Sequence, residues 1–83
     1  MAKGIRITYK LRESDTIVSD VRAESIDSVI LEIKRMLSKR EDPDAIETIY
    51  LNNRQAHIIP VRNILSVEVH DITKEIVDTH RNN

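Results

Sequence analysis

The chain has 83 residues, of which 40% are apolar and 33% are charged, and its formal net charge at pH 7 is −1. This length suits one domain rather than two, and the balance is that of a globular chain, neither disordered nor membrane-like. The near-zero charge provides no whole-protein field that would attract nucleic acid or anionic lipid. The chain contains no cysteine, which excludes disulfides, thiolate metal sites and a cysteine nucleophile.

The apolar residues are mainly Ile and Val, with no Phe or Trp and only two Tyr. Stiff β-branched side chains suit a pleated sheet, so a sheet-rich core is expected. The N-terminal residues lack the apolar stretch of a signal peptide, and no run approaches the roughly 18 apolar residues of a membrane span. We therefore expect a cytoplasmic protein without membrane contact. Accessory proteins of phages and plasmids are often this small, and we extend the expectation to such an origin.

Two segments near the N-terminus, residues 4–12 and 16–23, alternate between apolar and polar residues. This period of two is typical of half-buried strands. A three-residue loop at 13–15 would pair Ile7 with Val21 and keep the apolar side chains on one face, whereas a one-residue slip would exchange the faces. The sequence therefore predicts a hairpin in this register.

An amphipathic helix follows the hairpin. Ser25 is a suitable N-cap, and Asp27 lies in the first turn, where the helix dipole favours a negative charge. Six residues follow the spacing of one apolar helix face: Ile26, Val29, Ile30, Ile33, Met36 and Leu37. Leu31 falls on the polar side, which is normal for a single side chain. Pro43 prevents the helix from continuing far.

Three further strands are predicted, over residues 45–52, 55–61 and 64–70. Asn residues suit the turns between them, because Asn tolerates the left-handed conformation when no Gly is available. Pro60 cannot donate to a strand ladder. Its strand is therefore expected to form a sheet edge there, or to point that nitrogen outward.

These elements predict a single α+β domain over residues 1–83, in the order β-β-α-β-β-β plus a C-terminal tail. The simplest way to bury one helix stripe is a two-layer arrangement, with the helix packed on a mainly antiparallel sheet of about five strands. The tail, residues 71–83, has two open interpretations. It forms either a short helix capped by Asp71 or a hairpin that turns at Thr73, and in both cases its end frays.

A candidate interaction surface lies on the predicted C-terminal strands. A loop at Asn53-Arg54 would place Ile49 opposite Ile58 on the helix side and leave an apolar outer side. The predicted surface comprises Ile46, Tyr50, His57, Ile59, Val61, Glu68 and His70. Exposed apolar patches on small domains mark contacts. Either the tail or a second copy of the chain would cover this one, and we favour a homo-oligomer, most simply a dimer, because so small a domain is marginally stable alone.

His57 has two alternative cross-strand partners. A four-residue loop at 62–65 would place it opposite His70, a pair that could hold a metal or respond to pH. A two-residue loop at 62–63 would place it opposite Glu68, which is an ordinary cross-strand pair. Because two histidines without a third ligand seldom make a specific metal site, we predict neither a metal nor a cofactor.

The polar side of the N-terminal hairpin carries the only organised charge. Four cations lie there: Arg6, Lys10, Arg12 and Arg22. The predicted register places Arg22 opposite Arg6, with Asp20 as the one acid among them. Such a stripe could bind the phosphates of a nucleic acid or of another phosphorylated ligand. No aromatic residue lies on that side to stack on a base, which weakens this interpretation.

The sequence contains no recognisable catalytic motif. Gly4 is the only glycine, which excludes a glycine-rich phosphate loop. No nucleophile elbow or nucleophile–base spacing occurs, and the acidic clusters lack the turn glycine of a calcium loop. The sequence therefore predicts a non-enzymatic interaction or assembly module that self-associates through its C-terminal sheet face, with nucleic-acid or phosphorylated-ligand binding as the alternative.

Overall fold

The computed structural model describes residues 2–52 and 54–74. Within them, five strands and one α-helix follow one another in the predicted order. Their bounds are β1 Lys3–Leu11, β2 Thr16–Ala23, α1 Ile26–Leu37, β3 Ile46–Asn52, β4 Gln55–Pro60 and β5 Ile64–Asp71. Short 3-10 turns join β1 to β2 and β4 to β5. The predicted α+β class, with one helix on antiparallel strands, is confirmed.

The strands divide between two sheets instead of forming one. β1 lies at the centre of a three-stranded antiparallel sheet, between β2 and β5, while β3 and β4 form a separate two-stranded sheet. β5 therefore pairs with the first strand of the chain and not with its neighbour in sequence. The 3-10 turn Val61–Asn63 redirects the chain after β4, and Val61 is completely buried there.

Hydrogen bonds hold this redirected segment in place. The Val61 N–H donates to the carbonyl of Ala45 at 3.0 Å. The Arg40 guanidinium, just beyond α1, donates to the carbonyls of Ile64 and Leu65 at the start of β5, the latter at 2.9 Å. These charge-assisted hydrogen bonds give the two carbonyls a partner in place of the water that folding removes from the start of the strand.

The predicted register of the first hairpin is wrong by two residues. Ile7 lies opposite Ser19, not Val21, and the turn occupies Arg12–Ser14. The cause is the turn itself, since Glu13 and Ser14 both adopt left-handed conformations with φ of 66° and 67°. A shift of two residues keeps every side chain on its predicted face, so the apolar pattern did not reveal the error.

The helix follows its prediction closely. The Ser25 side chain accepts a hydrogen bond from the backbone N–H of Ser28 at 3.1 Å, which is the expected N-cap. Val29 and Met36 are buried, whereas Leu31 is exposed. The helix packs its apolar face onto the three-stranded sheet, mainly against β5 and β2.

The core lies between the three-stranded sheet on one side and α1 with the β3–β4 sheet on the other. Nine buried residues make up this cluster: Ile5, Ile7, Tyr9, Ile17, Val29, Met36, Ile49, Val61 and Ile64. Ser19 is the one buried polar residue among those described, and its Oγ donates to the carbonyl of Tyr50 at 2.6 Å. This bond fastens the edge of β3 to β2.

The C-terminal segment is described as far as Lys74. Ile72 is buried, and its N–H donates to the carbonyl of Gly4 at 2.8 Å, so the chain beyond β5 remains attached to β1. The alternative helix or hairpin predicted for the rest of the tail lies outside the described residues. In the described part of the chain, no helix is long and apolar enough to cross a membrane.

Candidate association surface

The β3–β4 sheet presents an apolar side to solvent. Ile46 lies opposite Pro60, Thr48 opposite Ile58, and Tyr50 opposite Ala56. Opposed residues in an antiparallel pair share a face, and alternate residues along a strand share it too. These six residues therefore form one surface, which we call the outer β3–β4 face.

Three large side chains of the outer β3–β4 face are markedly exposed. The exposed fractions are 65% for Ile46, 67% for Tyr50 and 68% for Ile58. Ile58 was expected on the opposite side, against Ile49. The structure corrects this, because Ile49 lies opposite His57 and a bulge between Tyr50 and Asn52 absorbs the difference. A slip of one residue exchanges the two faces of a strand.

The predicted interaction residues therefore separate into different places. Ile46 and Tyr50 lie on the outer β3–β4 face. Ile59 and His57 lie on the other side of β4, where Ile59 is half-buried and His57 is exposed. Val61 is fully buried in the core, because the chain leaves the strand direction after Pro60.

The remaining two predicted residues, Glu68 and His70, lie on the three-stranded sheet. Glu68 is opposite Thr8 and His70 is opposite Arg6. Both proposed partners for His57 are therefore wrong, because β4 and β5 do not pair. Across the described residues, no group of three or more His, Cys, Asp or Glu side chains is placed to hold a metal ion.

The outer edge of β4 carries outward-pointing backbone groups. The hydrogen bond from Val61 to Ala45 continues the β3–β4 ladder. In an antiparallel ladder, pairs with mutual backbone bonds alternate with pairs whose N–H and C=O groups point outward. Ala56 and Ile58 belong to the second kind, so their backbone groups point away from β3. Pro60 belongs to the same series, so its nitrogen, which carries no hydrogen, faces the outer edge. Prolines in strands favour such positions because no ladder hydrogen bond is lost there.

A cleft of about 760 Å³ lies on the other side of β4, beside the β1–β2 turn. Apolar side chains from four different strands line it, among them Leu11, Ile17 and Ile59. Polar residues, including Glu13 and His57, also border it. No local pattern in the sequence indicated this cleft, because its walls come from distant segments.

A second cavity, of about 400 Å³, lies between α1 and the three-stranded sheet. Tyr9 and Glu47 both line it. Burial raises the pKa of the Tyr9 hydroxyl, and the nearby Glu47 carboxylate raises it further. Tyr9 is therefore held in its neutral form, as expected for a core residue.

Two cations of the N-terminal hairpin, Arg6 and Lys10, form ion pairs with acids. The Arg6 guanidinium binds both carboxylate oxygens of Asp20, at 2.9 and 3.1 Å. This hydrogen bonding, more than the charge of Arg6 itself, lowers the pKa of Asp20. Lys10 lies 3.3 Å from Glu68 on β5. These pairs leave the sheet face with mixed charge.

The other two cations of the predicted stripe lie apart from these pairs. Arg12 is in the turn, where its Nε donates to the carbonyl of Arg62 at 3.3 Å. Arg22 lies opposite Gly4 near the other end of the hairpin, not opposite Arg6. The four cations therefore do not form the continuous stripe that phosphate binding would favour.

No family model, no curated protein and no solved structure matches the chain. Its function is therefore inferred from the geometry of its own surfaces.

Proposed function

We propose that this protein is a non-enzymatic assembly module that forms a homodimer through its β3–β4 sheet. The observation that carries the proposal is the exposure of Ile46, Tyr50 and Ile58, each about two thirds accessible, on one contiguous side of two paired strands. The other exposed large apolar residues in the described part of the chain, Val18, Leu31 and Leu65, lie on three different elements.

Energetic arguments support a contact at this surface. Fully burying an Ile side chain contributes roughly 1.5–3 kcal/mol, and most of that contribution is unused for Ile46 and Ile58. A two-stranded sheet is also marginally stable unless something packs on it. Its inner side packs on the core through Ile49, which is 2% exposed, but its outer face has no cover among the described residues. Binding a second copy would stabilise the fold by mass action.

The test compares Ile58→Asp with Leu31→Asp by sedimentation velocity. Both substitutions place a carboxylate at an exposed apolar position, but only Ile58 lies on the outer β3–β4 face. We expect the wild type and Leu31→Asp to form dimers at high micromolar concentration and Ile58→Asp to remain monomeric. If the two variants dimerise equally, the outer β3–β4 face is not part of the dimer interface.

A further inference from the structure

The outer edge of β4 is open among the described strands, and it bears on how the second copy binds. Among the described strands, none pairs with the outer side of β4. Ala56 and Ile58 direct their N–H and C=O groups to that side, as the bond from Val61 to Ala45 establishes. Such a row of exposed donors and acceptors is a template for another strand.

No charged side chain protects this edge, and Pro60 blocks only its end. The strand Gln55–Pro60 contains no Asp, Glu, Lys or Arg. The edge strands of the other sheet do carry charges, such as Asp20 and Arg22 on β2 and Glu68 on β5. Charged residues on edge strands discourage pairing with another chain, so β4 is the edge best suited to accept one.

We propose that two copies of the chain join by antiparallel pairing of their β4 strands around a two-fold axis at His57. This inference rests on the proposed function and specifies the interface. Each Ala56 then pairs with Ile58 of the second copy, so that every outward N–H and C=O of the two residues is bonded. A two-fold axis makes the edge its own complement, as in most homodimers.

Pro60 favours this register over its neighbour. Moving the axis by one residue to Ile58 would place Ala56 opposite Pro60 of the second copy. Pro60 has no N–H to donate, so the Ala56 carbonyl of each copy would face no donor inside the paired region, whereas the axis at His57 bonds every outward group of Ala56 and Ile58. Centring the axis on His57 leaves Pro60 at the end of the paired region.

The same register brings together the exposed apolar side chains. Ile58 becomes the cross-strand neighbour of Ala56 from the second copy on the outer β3–β4 face. Tyr50 already lies opposite Ala56 on β3, one strand further away. Strands are spaced roughly 4.8 Å apart, so Tyr50 reaches over the small Ala56 toward Ile58 of the second copy. Pairing therefore covers apolar surface as well as backbone groups.

A single cysteine tests the position of the axis. The chain has no native cysteine, so His57→Cys introduces the only thiol. In the proposed register, residue 57 of one copy lies directly opposite residue 57 of the other, and the two share no backbone hydrogen bond. The Cα atoms of such a pair are about 4.5 Å apart, which is within the range that a disulfide spans. We expect mild oxidation to convert His57→Cys into a covalent dimer far faster than the control His70→Cys, which lies on the other sheet. Equal rates would overturn the proposed axis.

A proline substitution tests the edge hydrogen bonds. Ala56→Pro removes an N–H that points away from β3, and Ala56→Ser retains it. Each dimer would lose two interface hydrogen bonds, one from each copy. We therefore expect Ala56→Pro to weaken dimerisation about tenfold or more, and Ala56→Ser to dimerise like the wild type. Far-UV circular dichroism checks that both variants are folded. A folded Ala56→Pro variant that dimerises like the wild type would overturn edge pairing.

Failure of the pairing mode and failure of the proposed function give different results. If the wild type dimerises and Ile58→Asp does not, but neither edge test succeeds, the proposed function stands and edge pairing is overturned. If the wild type stays monomeric while the Ala56 and Ile58 amides resist hydrogen exchange, the chain's own tail covers the edge. That result overturns both proposals.

Discussion

Glu13 and Ser14 set the geometry of the first hairpin through their backbone conformations. Two consecutive non-glycine residues with φ of 66° and 67° turn the chain between β1 and β2. The left-handed conformation costs such residues roughly 1–2 kcal/mol each. The N–H of Leu11 donates to the carbonyl of Asp15 at 2.8 Å and closes the turn. The favourable pairing of the two strands offsets the local cost.

Replacing Ser14 with Gly should therefore stabilise the protein. Gly adopts positive φ without the steric cost, which outweighs the greater freedom it gives the unfolded chain. We expect Ser14→Gly to raise the free energy of unfolding by about 0.5–1 kcal/mol in urea denaturation. The matched control is Asp15→Gly, since Asp15 has φ of −74° and should only lose stability. The same direction of change in both variants would contradict this explanation.

Asp20 gives the stability a small dependence on pH. Its pKa is lowered in the folded protein, so its ionised form stabilises the fold above the ordinary carboxyl range. This stabilisation is lost as the pH falls through the lowered pKa. Because both partners are about half exposed, the Arg6–Asp20 pair should contribute only about 0.2–1 kcal/mol.

Denaturation of Asp20→Asn at two pH values tests this pair. We expect the variant to be less stable than the wild type at about pH 7, and the difference to shrink as the pH falls through the lowered pKa of Asp20 and its carboxyl becomes protonated. Glu24→Gln, an exposed carboxyl just beyond β2, serves as the control. A deficit in Asp20→Asn that persists unchanged in acid would mean that the charge is not responsible.

At the scale of elements, local patterns in the sequence were enough to predict the helix and the strands. The spacing of Ile26, Val29 and Ile33 and the cap at Ser25 identified α1, and alternation identified the strands. The register of β3 and β4 could not be predicted in this way. Ile58 and Ile59 are adjacent and equally apolar, so the pattern does not say which one faces the core.

Local sequence patterns also could not predict which strand β5 pairs with. β5 has the alternation of a strand that could pair with either β4 or β1. The outcome depends on the buried turn at Val61 and on the Arg40 guanidinium at the start of β5. Neither feature is visible until distant segments are brought together, and the cleft beside β4 was missed for the same reason.

Two isoleucines on β3 test the assignment of its faces. Ile49 is 2% exposed and Ile46 is 65% exposed. We expect Ile49→Val to lower the free energy of unfolding by about 0.5–1.5 kcal/mol, because a buried methylene is lost. Ile46→Val should change it by less than about 0.5 kcal/mol at low protein concentration. A larger effect of Ile46→Val would mean that the two faces have been interchanged.

At the scale of the whole molecule, the two sheets differ in what they present to solvent. The three-stranded sheet exposes charged and polar residues that pair across strands, such as Arg6 with Asp20 and Lys10 with Glu68. The two-stranded sheet exposes Ile46, Tyr50 and Ile58 together with an uncharged strand edge. Water therefore solvates the exposed face of the three-stranded sheet well, whereas the outer β3–β4 face would be stabilised by contact with another protein chain.

Sedimentation equilibrium of the wild-type protein tests self-association most directly. The chain has a mass of 9.6 kDa. We predict that the apparent mass rises with concentration toward that of a dimer and levels off there, since a two-fold edge pairing is closed and adds no third copy. An apparent mass that stays at the monomer value into the high micromolar range would contradict the proposed function.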